Sequence, residues 1–561
     1  SLIRLACGNH QKVVPVFLLH GVTGSGKTEI YLRALEQAIS LGRGAIVLVP
    51  EIALTPQTIR RFGARFPMTI AVMHSHLSPG ERYDQWQRLR AGDLRLVVGS
   101  RSAIFAPMQD LGLIVLDEEH EWSYKQERTP NYHAREVAIH LAQLAGATTI
   151  LGSATPDLES VYRAERGEYV RLVLPRRVMG HRKVLQQQAV RLKKEHTQYR
   201  PVGQGRQYPA QGLDEAMYAE LPPVEVVDMR AELKSGNTSI FSRSLKAAMD
   251  QALEREEQII LFLNRRGAAT FVMCRDCGHV IKCPRCNVPL TYHSSREDMI
   301  CHHCNYHMAV PKQCPACHSR RIKFFGIGTQ RVEQLVQQTY PQARIVRWDL
   351  DTTGGKLSHE QLLDRFVRGE ADIMIGTQMI AKGLDLPRVT LVGVITADTI
   401  LNLPDFRSGE RTFQLLTQVG GRAGRSILGG KVVIQTYTPQ HYAIRAAAQH
   451  DYDAFYEQEI AFRREQWYPP LSRLLRLIYL HPNAEAAQRE AEHLHRILSQ
   501  KIARLGIPEV DLIGPAPAFF ARVRGRWRWQ IIVRGTEPSA LLQDIRLPLG
   551  WRVDVDPVST L

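Results

Sequence analysis

The first third of the chain alternates short apolar runs with amphipathic helical patterns. The apolar runs end in glycine-rich or polar segments and cover residues 13–19, 45–50, 96–99, 113–116 and 149–151. Runs of this length are typical of buried strands, and strands that alternate with helices usually pair in parallel. We therefore predict an α/β layered lobe over residues 1–180.

The same alternation returns later in the chain. Apolar runs at residues 259–263, 323–326 and 372–375 predict strands, and a helical pattern begins at Gly328. These elements predict a second α/β lobe over residues 223–270 and 320–440. A cysteine-rich module over residues 271–319 is inserted into it.

Two stretches lack this alternation. Residues 176–223 are rich in Arg, Lys and Gln with few large apolar side chains, which indicates a surface insertion or linker bounded at about 181–222. Residues 441–561 contain a helical pattern at 484–503 followed by strands, which predicts a C-terminal α/β domain. Within it, residues 522–530 read as one strand with its arginines on one face.

A phosphate-binding motif follows the first predicted strand. Residues 21–28 match G-x-x-x-x-G-K-[ST]. The glycines allow backbone N–H groups to surround phosphate oxygens, Lys27 would reach the β- and γ-phosphates, and Thr28 would bind Mg²⁺. A chance glycine-rich turn is the alternative, which the flanking strand and helix disfavour. The predicted nucleotide-binding residues are Gly21, Thr23, Gly24, Ser25, Gly26, Lys27, Thr28, Glu29, Asp117 and Gln418.

An acidic motif follows the predicted strand at 113–116. It reads Asp117-Glu118-Glu119-His120. Asp117 would hold the Mg²⁺, and Glu118 would orient and deprotonate the attacking water. Acidic residues also favour the first turn of a helix, but the phosphate-binding motif makes catalysis the preferred interpretation.

Net charge points to a polyanionic partner. The 561 residues include 72 Lys and Arg against 56 Asp and Glu, a formal net charge of +16, which favours nucleic acid. No apolar run is long enough to span a bilayer and no secretory signal opens the chain, so we expect a cytoplasmic protein. The first residue is Ser and the phosphate-binding motif lies near it, so we expect a truncated chain or fragment.

Eight of the nine cysteines form four C-x-x-C pairs between Cys274 and Cys317. Eight thiolates suffice for two tetrahedral structural sites, and Zn²⁺ is the expected ion. An iron–sulfur cluster is the alternative. Spacing alone does not decide which pairs share an ion. The predicted ligands are Cys274, Cys277, Cys283, Cys286, Cys301, Cys304, Cys314 and Cys317.

Two further motifs complete the predicted catalytic set. Residues 152–155 read Gly-Ser-Ala-Thr, and residues 418–425 fit Q-x-x-G-R-x-G-R. Arg422 and Arg425 would act as an arginine finger toward an ATP bound between the lobes, although a basic helix making surface ion pairs is the alternative. The predicted catalytic residues are thus Lys27, Asp117, Glu118, Arg422 and Arg425.

Taken in order, the phosphate loop, DEEH and SAT motifs resemble those of superfamily-2 helicases. Together with GSRSAIFAP, YHAR, LNRRG, GTQMIAKG, DFRSGER and QVGGRAGR, they resemble the primosomal helicases that restart bacterial replication. The resemblance implies two RecA-like P-loop lobes, an inserted two-zinc module and a DNA-contacting C-terminal domain. It implies an ATP- and Mg²⁺-dependent 3′-to-5′ DNA helicase that acts at stalled or recombined forks in primosome assembly.

The resemblance also implies partners and a zinc pairing. The partners are forked and single-stranded DNA, single-strand-binding protein and helicase-loading proteins. The outer cysteine pairs (Cys274, Cys277, Cys314 and Cys317) would share one ion, and the inner pairs (Cys283, Cys286, Cys301 and Cys304) the other. Family members carry an N-terminal 3′-end-binding domain and winged helix, which we expect this chain to lack.

Basic and aromatic residues give candidates for contact with DNA. Arginine and lysine bind phosphates and aromatic rings stack on bases, although solvated basic loops have the same composition. The candidates are Arg101, Lys125, Arg135, Lys382, Arg526 and Trp527. Two other functions stay open: a double-stranded DNA translocase that does not separate strands, and a nucleotide-gated scaffold that docks partners through its zinc module.

Overall fold

The computed structural model describes residues 15–50, 56–74, 77–181, 216–263, 270–293, 297–325, 328–349, 356–380, 386–424, 428–506 and 509–561. The chain divides into two compact units. The first is Ser1–Leu221 with the short segments Lys382–Asp385 and Gly424–Gly429, and the second is the remainder. Among the described helices, none has both the length and the apolar character needed to cross a bilayer.

A seven-stranded sheet forms the centre of the first unit. Its strands are β1 (Val16–Gly21), β2 (Gly44–Leu48), β3 (Ile70–Met73), β4 (Leu96–Gly99), β5 (Leu111–Asp117), β6 (Thr148–Ser153) and β7 (Val170–Leu174). They run parallel in the order β3-β4-β2-β5-β6-β1-β7. Strands β5, β6 and β1 are therefore neighbours, and the segments that follow them lie at one edge of the sheet.

The helices of the first unit are α1 (Lys27–Ser40), α2 (Pro56–Arg65), α3 (Pro79–Ala91), α4 (Ala134–Ala145) and α5 (Leu158–Glu165). Leu35 of α1 packs with Val47, Val115 and Ile150 in a core cluster that excludes water from this part of the sheet. The predicted strands of this lobe are thus confirmed, with ends that differ by one or two residues where both are described.

The predicted linker contains regular structure at both ends. Strands β8 (Arg177–His181) and β9 (Ala216–Ala219) pair antiparallel, so the two ends of the predicted linker meet in a two-stranded sheet. Residues 182–215 lie outside the described part of the chain. The proposed domain boundaries as a whole stay predictions.

The strands of the second unit are β10 (Val224–Asp228), β11 (Gln258–Leu263), β12 (Thr270–Cys274), β13 (Thr291–His293), β14 (Asp298–Ile300), β15 (His307–Ala309), β16 (Ile322–Phe325), β17 (Ile345–Trp348), β18 (Ile373–Gly376), β19 (Val389–Thr396), β20 (Lys431–Thr436), β21 (Arg473–His481), β22 (Val510–Val523), β23 (Arg526–Gly535) and β24 (Trp551–Val555). Its helices are α6 (Met229–Lys234), α7 (Arg243–Glu254), α8 (Thr329–Thr339), α9 (Lys356–Val367), α10 (Asp398–Leu401), α11 (Ser408–Gly420), α12 (Tyr442–Gln449), α13 (Tyr452–Glu465) and α14 (Ala484–Leu505).

These strands form three sheets. A six-stranded parallel sheet has the order β10-β20-β19-β11-β18-β17. The cysteine-rich segment contributes a small antiparallel sheet, β15-β14-β13-β12-β16. The last part of the chain forms a third, β22-β23-β21-β24, with α14 packed on one face through Leu494 and Leu498.

The prediction of one strand over residues 522–530 is wrong. Strand β22 ends at Val523 and β23 begins at Arg526, while Arg524 and Gly525 form the turn between them with φ of 49° and 80°. Two consecutive left-handed residues are the signature of a tight hairpin, and glycine adopts that conformation without strain. The segment is therefore a hairpin tip.

The hairpin separates its aromatic and basic side chains. Trp527 and Trp529 pack with Ala487 and Ala491 of α14. Because side chains alternate along a strand, Arg526 projects from the opposite face. The predicted arginine face therefore exists on β23, but Trp527 is not part of it.

A buried ion cluster joins α11 to α13. The fully buried guanidinium of Arg463 donates from Nη2 to Glu410 Oε2 at 3.0 Å and from Nε to Glu459 Oε1 at 2.7 Å. Its Nη1 donates to the Pro469 carbonyl at 2.9 Å. A charge in this position is tolerated because each of the three guanidinium nitrogens donates to an acceptor.

Replacing Arg463 with Met should strongly destabilise the second unit. The change removes the cation shared by Glu459 and Glu410, of which only Glu410 keeps a second cationic neighbour among the described residues, Arg407 at 3.6 Å. Breaking a buried ion pair typically costs about 3–5 kcal/mol. Urea unfolding followed by circular dichroism measures this loss.

The matched control is Arg489→Met, because Arg489 pairs with Glu485 on the exposed surface of α14 and such pairs contribute less than about 1 kcal/mol. Equal losses for the two variants would contradict a structural role for the buried cluster.

Candidate functional site

The phosphate loop connects β1 to α1 and holds its own lysine. Gly24 and Gly26 have φ of 81° and 89°, a left-handed conformation that glycine adopts without strain. The ammonium of Lys27 donates to the carbonyl of Gly21 at 2.7 Å in a buried position. The hydroxyl of Ser25 is also buried and has no hydrogen-bond partner in the described structure. A phosphate oxygen would satisfy both groups, so the loop fits a phosphate-bearing nucleotide.

Neighbouring elements fix the loop in place. The N–H of Val22 donates to Leu174 O at 3.1 Å, and that of Val178 donates to Gly24 O at 2.9 Å. A Cβ on Gly21 would overlap the Ser25 hydroxyl, which explains glycine at the end of β1. Glu29, predicted to bind nucleotide, instead pairs with Arg33 at 2.9 Å along α1.

The acidic motif begins at the end of β5. The Asp117 carboxylate accepts from the hydroxyl of Tyr31 at 3.0 Å, and the Asp117 carbonyl accepts from Tyr124 at 2.6 Å. Burial and the adjacent Glu118 raise the pKa of Asp117 to about 6, whereas Lys27 acts in the opposite direction. Burial and the Asp117 charge also raise the pKa of Tyr31 well above its usual value, so its hydroxyl stays protonated and donates.

Glu118 sits in a strained and unsatisfied position. Its φ is 49°, in the left-handed region that non-glycine residues seldom occupy. Its Oε2 is buried without a hydrogen-bond partner in the described structure and lies 3.7 Å from His120 Nδ1. Such strain concentrates at functional sites, and a carboxylate oxygen without a hydrogen-bond partner can accept a proton from water.

His120 connects the acidic motif to the Gly-Ser-Ala-Thr motif. Its Nδ1 lies 2.6 Å from the hydroxyl of Ser153 at the end of β6. The same serine accepts from the N–H of Thr155 at 3.0 Å. The same imidazole nitrogen thus lies near Glu118 Oε2 and within hydrogen-bond distance of the Ser153 hydroxyl.

Arg135 is buried in an ion network, where it does not face solvent. Its guanidinium contacts Glu119 at 3.3 Å and Glu159 at 3.2 Å, and donates to Ser160 at 3.1 Å. Glu119 in turn accepts from the N–H of Asp157 at 2.8 Å. Because the guanidinium is fully engaged in the fold, we do not propose the DNA contact that the sequence predicted for this residue.

The other DNA candidates in the first unit have varied surroundings. Arg101 donates through Nη1 to the carbonyls of Ser123 and Lys125, both at 2.6 Å, and so shapes the aromatic segment. Lys125 is itself buried. Near these residues, the aromatic rings of Trp122 and Phe105 are exposed, with 49% and 51% of their surface accessible. Sequence reasoning did not name these two as site residues, although Trp122 lay in the aromatic segment it identified.

The remaining predicted residues lie in the later part of the chain. Gln418 is buried in α11, and Arg422 is buried in the turn that follows. Arg526 is exposed at the start of β23, and Trp527 is half-buried and stacked by Arg522 at 5.4 Å. Lys382 and Arg425 lie outside the described residues.

The eight clustered cysteines form two groups of four. The outer pairs, Cys274, Cys277, Cys314 and Cys317, make one group, and the inner pairs, Cys283, Cys286, Cys301 and Cys304, make the other. Within each group the sulfurs lie within 4.8 Å of one another, and the Cys274–Cys317 and Cys283–Cys304 Sγ separations are 3.6 and 3.5 Å. Zn–S bonds of about 2.3 Å at tetrahedral angles require about 3.8 Å, so both groups fit zinc. The implied pairing is confirmed.

All four cysteine pairs share one backbone geometry. In each, the residue after the second cysteine donates its N–H to the carbonyl of the first at 2.9 Å. That residue has φ between 53° and 79°, and the four are Gly278, Asn287, Asn305 and His318. Glycine and asparagine tolerate this conformation best, which explains why they follow the second cysteine in three of the four pairs.

Both zinc groups are attached to the rest of the second unit. At the outer group, Arg230 donates to the Cys277 carbonyl at 3.1 Å, and a Cβ on Gly278 would overlap the Tyr437 carbonyl. At the inner group, Gln530 donates to the His302 carbonyl at 3.0 Å, and His303 Nε2 donates to the Pro404 carbonyl at 3.3 Å. The module is therefore packed against the second parallel sheet and the C-terminal sheet.

Four family models match the chain. A DEAD/DEAH box helicase model matches residues 6–164, and a helicase conserved C-terminal domain model matches 318–427. A model of the PriA DNA helicase Cys-rich region matches 283–308, and one of the primosomal protein N C-terminal domain matches 464–558. These matches correspond to the two parallel sheets, the cysteine module and the C-terminal sheet.

Relatives of known name cover almost the whole chain. The replication restart protein PriA of Treponema pallidum is 39% identical over 555 residues, which are 97% of this chain and 77% of that protein. The chain belongs to the PriA family. PriA of Bacillus subtilis is 49% identical over 533 residues, and PriA of Synechocystis is 47% identical over 558. The chain spans only 61% and 62% of the length of these two relatives.

The family membership agrees with the fold. The first and second units each contain a RecA-like α/β lobe, and the second also carries the Cys-rich module and C-terminal domain of PriA proteins. Among solved structures, RecG bound to a three-way DNA junction covers 82% of this chain and 48% of RecG at 15% identity, with a TM-score of 0.42. That likeness is too distant to bear on function.

Replacing Asp117 with Asn should stabilise the nucleotide-free protein at neutral pH. The folded-state pKa of about 6 exceeds the ordinary value of 3.8, so ionisation is disfavoured by folding. Asn removes that penalty, on the order of 2 kcal/mol above pH 6. The advantage should shrink as pH falls through 6 and vanish near pH 4. Thermal unfolding at several pH values measures it, with the exposed Asp93→Asn as control. A constant difference at every pH would contradict the prediction.

Removing one cysteine from the inner group should cost one zinc ion and leave the other. Cys301→Ser leaves three thiolates there, too few for a closed structural site, while the outer group keeps its four ligands. Elemental analysis should give about one zinc per chain, against about two for the unchanged protein. Cys314→Ser is the matched variant for the outer group. Loss of both ions from either variant would contradict two independent sites.

Proposed function

We propose that this chain is an ATP-dependent DNA helicase that translocates 3′ to 5′ and acts at stalled or recombined replication forks during replication restart. The observation that supports it best lies within the first unit. Adjacent strands β1, β6 and β5 bring the phosphate loop, the Gly-Ser-Ala-Thr motif and the acidic motif to one sheet edge. The names of the PriA relatives support the restart role, and the 3′-to-5′ polarity is proposed from the resemblance of the sequence motifs.

ATP is the nucleotide that this arrangement favours. Backbone N–H groups of residues 23–28 and the Lys27 ammonium would hold the phosphates, and the Ser25 hydroxyl would gain the partner it lacks. Thr28 and Asp117 would hold Mg²⁺. When bound, the ion would neutralise charge on the β- and γ-phosphates.

Glu118 is the proposed general base. Its Oε2 has no hydrogen-bond partner in the described structure, so it can accept a proton from a water molecule without first breaking another bond. The constrained backbone at φ 49° holds the carboxylate in place. A protein that used nucleotide only as a binding switch would have little use for this group.

The His120–Ser153 contact is the proposed link from hydrolysis to DNA. The imidazole lies between Glu118 and Ser153, at 3.7 and 2.6 Å, so a change in hydrogen bonding at the base alters the Gly-Ser-Ala-Thr motif. Arg422 and Arg425 are the proposed cationic groups that stabilise charge on the γ-phosphate, and Gln418 is a proposed nucleotide contact.

Proposed DNA contacts combine stacking and phosphate binding. The exposed ring of Trp122, on a segment held by Arg101, can stack on a base, which is typically worth about 1–3 kcal/mol. Arg526 can meet phosphate from the exposed face of the C-terminal hairpin. Lys382 stays a candidate on sequence grounds. The partially buried Trp527 supports the hairpin and does not need to contact DNA.

The remaining parts of the proposal rest on the resemblance of the sequence motifs and on the chemistry of the cysteine groups. Single-strand-binding protein and helicase-loading proteins are the proposed partners. The two zinc ions are structural, because four thiolates leave no open coordination position for a substrate. We place the protein in the bacterial cytoplasm, associated with the nucleoid.

Replacing Lys27 with Ala should abolish DNA-stimulated ATP hydrolysis while DNA binding survives. The change removes the buried cation that would meet the β- and γ-phosphates, and kcat should fall about 100-fold or more. Phosphate release with and without single-stranded DNA measures hydrolysis, and fluorescence anisotropy of labelled DNA measures binding.

The matched control for this test is Lys431→Ala. Lys431 pairs with Glu225 at 2.7 Å between β20 and β10, and both side chains are well exposed, so its loss should leave nucleotide hydrolysis unchanged. Retained hydrolysis by Lys27→Ala would overturn the assignment of the site. Hydrolysis by the unchanged protein without unwinding of a forked duplex, but with displacement of a triplex strand, would replace the helicase by a translocase.

A further inference from the structure

Tyr31 joins three motifs of the first unit. It lies on α1, one turn beyond Thr28, and only 1% of its surface is accessible. Its hydroxyl donates to Asp117 Oδ1 at 3.0 Å. The phosphate-loop helix is therefore bonded through one side chain to the carboxylate at the end of β5.

The third motif is the Gly-Ser-Ala-Thr motif, which Tyr31 meets at Gly152. A Cβ built on Gly152 would overlap the Tyr31 hydroxyl and lie 2.6 Å from Tyr31 Cζ, a contact that real Cβ atoms do not make. Gly152 pairs with Asp117 across β6 and β5, and its carbonyl accepts from the N–H of Glu119 at 3.0 Å. The tyrosine ring thus passes directly over the glycine of the Gly-Ser-Ala-Thr motif.

Backbone conformation does not explain why residue 152 is a glycine. Gly152 lies within a regular strand, and its φ is not positive. Any residue could adopt its backbone conformation, so the space above its Cα is what requires glycine. That space is occupied by the Tyr31 side chain, which hydrogen-bonds the Asp117 carboxylate from α1.

A donor on one oxygen restricts rotation of a carboxylate. Asp117 is half-buried at the end of β5, and the neighbouring Glu118 would repel its carboxylate. Partners that hold a metal-binding carboxylate commonly matter about as much as the ligand, because they fix the direction of its free oxygen. Tyr31 meets this description.

We propose that Tyr31 is a positioning residue that fixes the Asp117 carboxylate for magnesium-bound nucleotide, and that Gly152 is glycine in order to admit it. The proposal rests on the proposed ATPase function. It gives the phosphate-loop helix a second role, because α1 not only presents Lys27 and Thr28 but also sets the geometry of the acidic motif on another strand.

Tyr31→Phe is the direct test, because it removes only the hydroxyl and keeps the ring over Gly152. We expect kcat for ATP hydrolysis to fall about 10-fold with KM for ATP within about 2-fold. The Mg²⁺ concentration for half-maximal hydrolysis should rise about 10-fold. A fluorescent ADP analogue should bind the variant normally without Mg²⁺, but Mg²⁺ should tighten that binding less than it does for the unchanged protein.

Tyr124→Phe is the matched control. Tyr124 is as deeply buried and also bonds to Asp117, but through the backbone carbonyl. Its loss should lower the thermal unfolding midpoint without changing the Mg²⁺ dependence. A Mg²⁺ defect of equal size in this control would reduce the role of Tyr31 to packing and overturn the proposal.

Gly152→Ala gives a second, independent approach. The added methyl group should displace the tyrosine hydroxyl and reproduce the Mg²⁺ defect in nucleotide binding. A defect in Gly152→Ala with normal Mg²⁺ dependence in Tyr31→Phe would overturn the proposal. The ATPase proposal is tested separately. If Lys27→Ala still hydrolyses ATP, the assignment of the nucleotide site is wrong. If Lys27→Ala is inactive and Tyr31→Phe behaves like the unchanged protein, only the role proposed for Tyr31 is overturned.

Discussion

The order of three parallel strands is the constraint on which the candidate site depends. Strand β6 lies between β1 and β5, with Ser153 opposite His20 and Gly152 opposite Asp117. This register places a residue without a side chain beneath Tyr31, and a serine beside His120. A shift by one residue would put Ser153 under the ring and turn its hydroxyl away from the imidazole, because successive strand residues face opposite sides.

Burial of charge is what gives the site its chemical character. Asp117 is half-buried beside Glu118, which raises its pKa, and Lys27 and the Tyr31 hydroxyl are the groups that counteract this. Nearby, Glu119 and Arg135 are buried, but they satisfy each other and their neighbours. These charged groups therefore fall into two classes. Some, such as Glu119 and Arg135, are paired by other residues of the fold, whereas Glu118 Oε2 has no hydrogen-bond partner among the described residues.

Sequence alone predicted the strands that lead into the motifs of the first unit, and the motif residues themselves, because apolar runs and chemical motifs are local signals. It did not predict strands such as β3, β7 and β19. Nor did it predict contacts between residues that are distant in sequence, or a turn signal within a segment of alternating apolar residues. Arg135 looked like a phosphate contact because its acidic partners Glu119 and Glu159 join it only in the folded sheet. The hairpin at Arg524 and Gly525 was read as one strand because alternation of apolar residues obscured its glycine turn signal. Tyr31 lies in an amphipathic helix, and nothing local in the sequence distinguishes it from an ordinary core residue.

The cysteine module combines hydrogen bonds within its own turns with hydrogen bonds to parts of the second unit that are distant in sequence. Each cysteine turn satisfies the carbonyl of its own first cysteine. The carbonyls of Cys277 and His302 accept from Arg230 of α6 and from Gln530 of β23. The Pro404 carbonyl accepts from both His303 and Thr560, and the next residue, Asp405, accepts from Arg411 of α11. A displacement of the inner zinc group therefore acts on the segment that begins α11, the helix that carries Gln418. This makes the module a structural part of the second unit and not a tethered appendage.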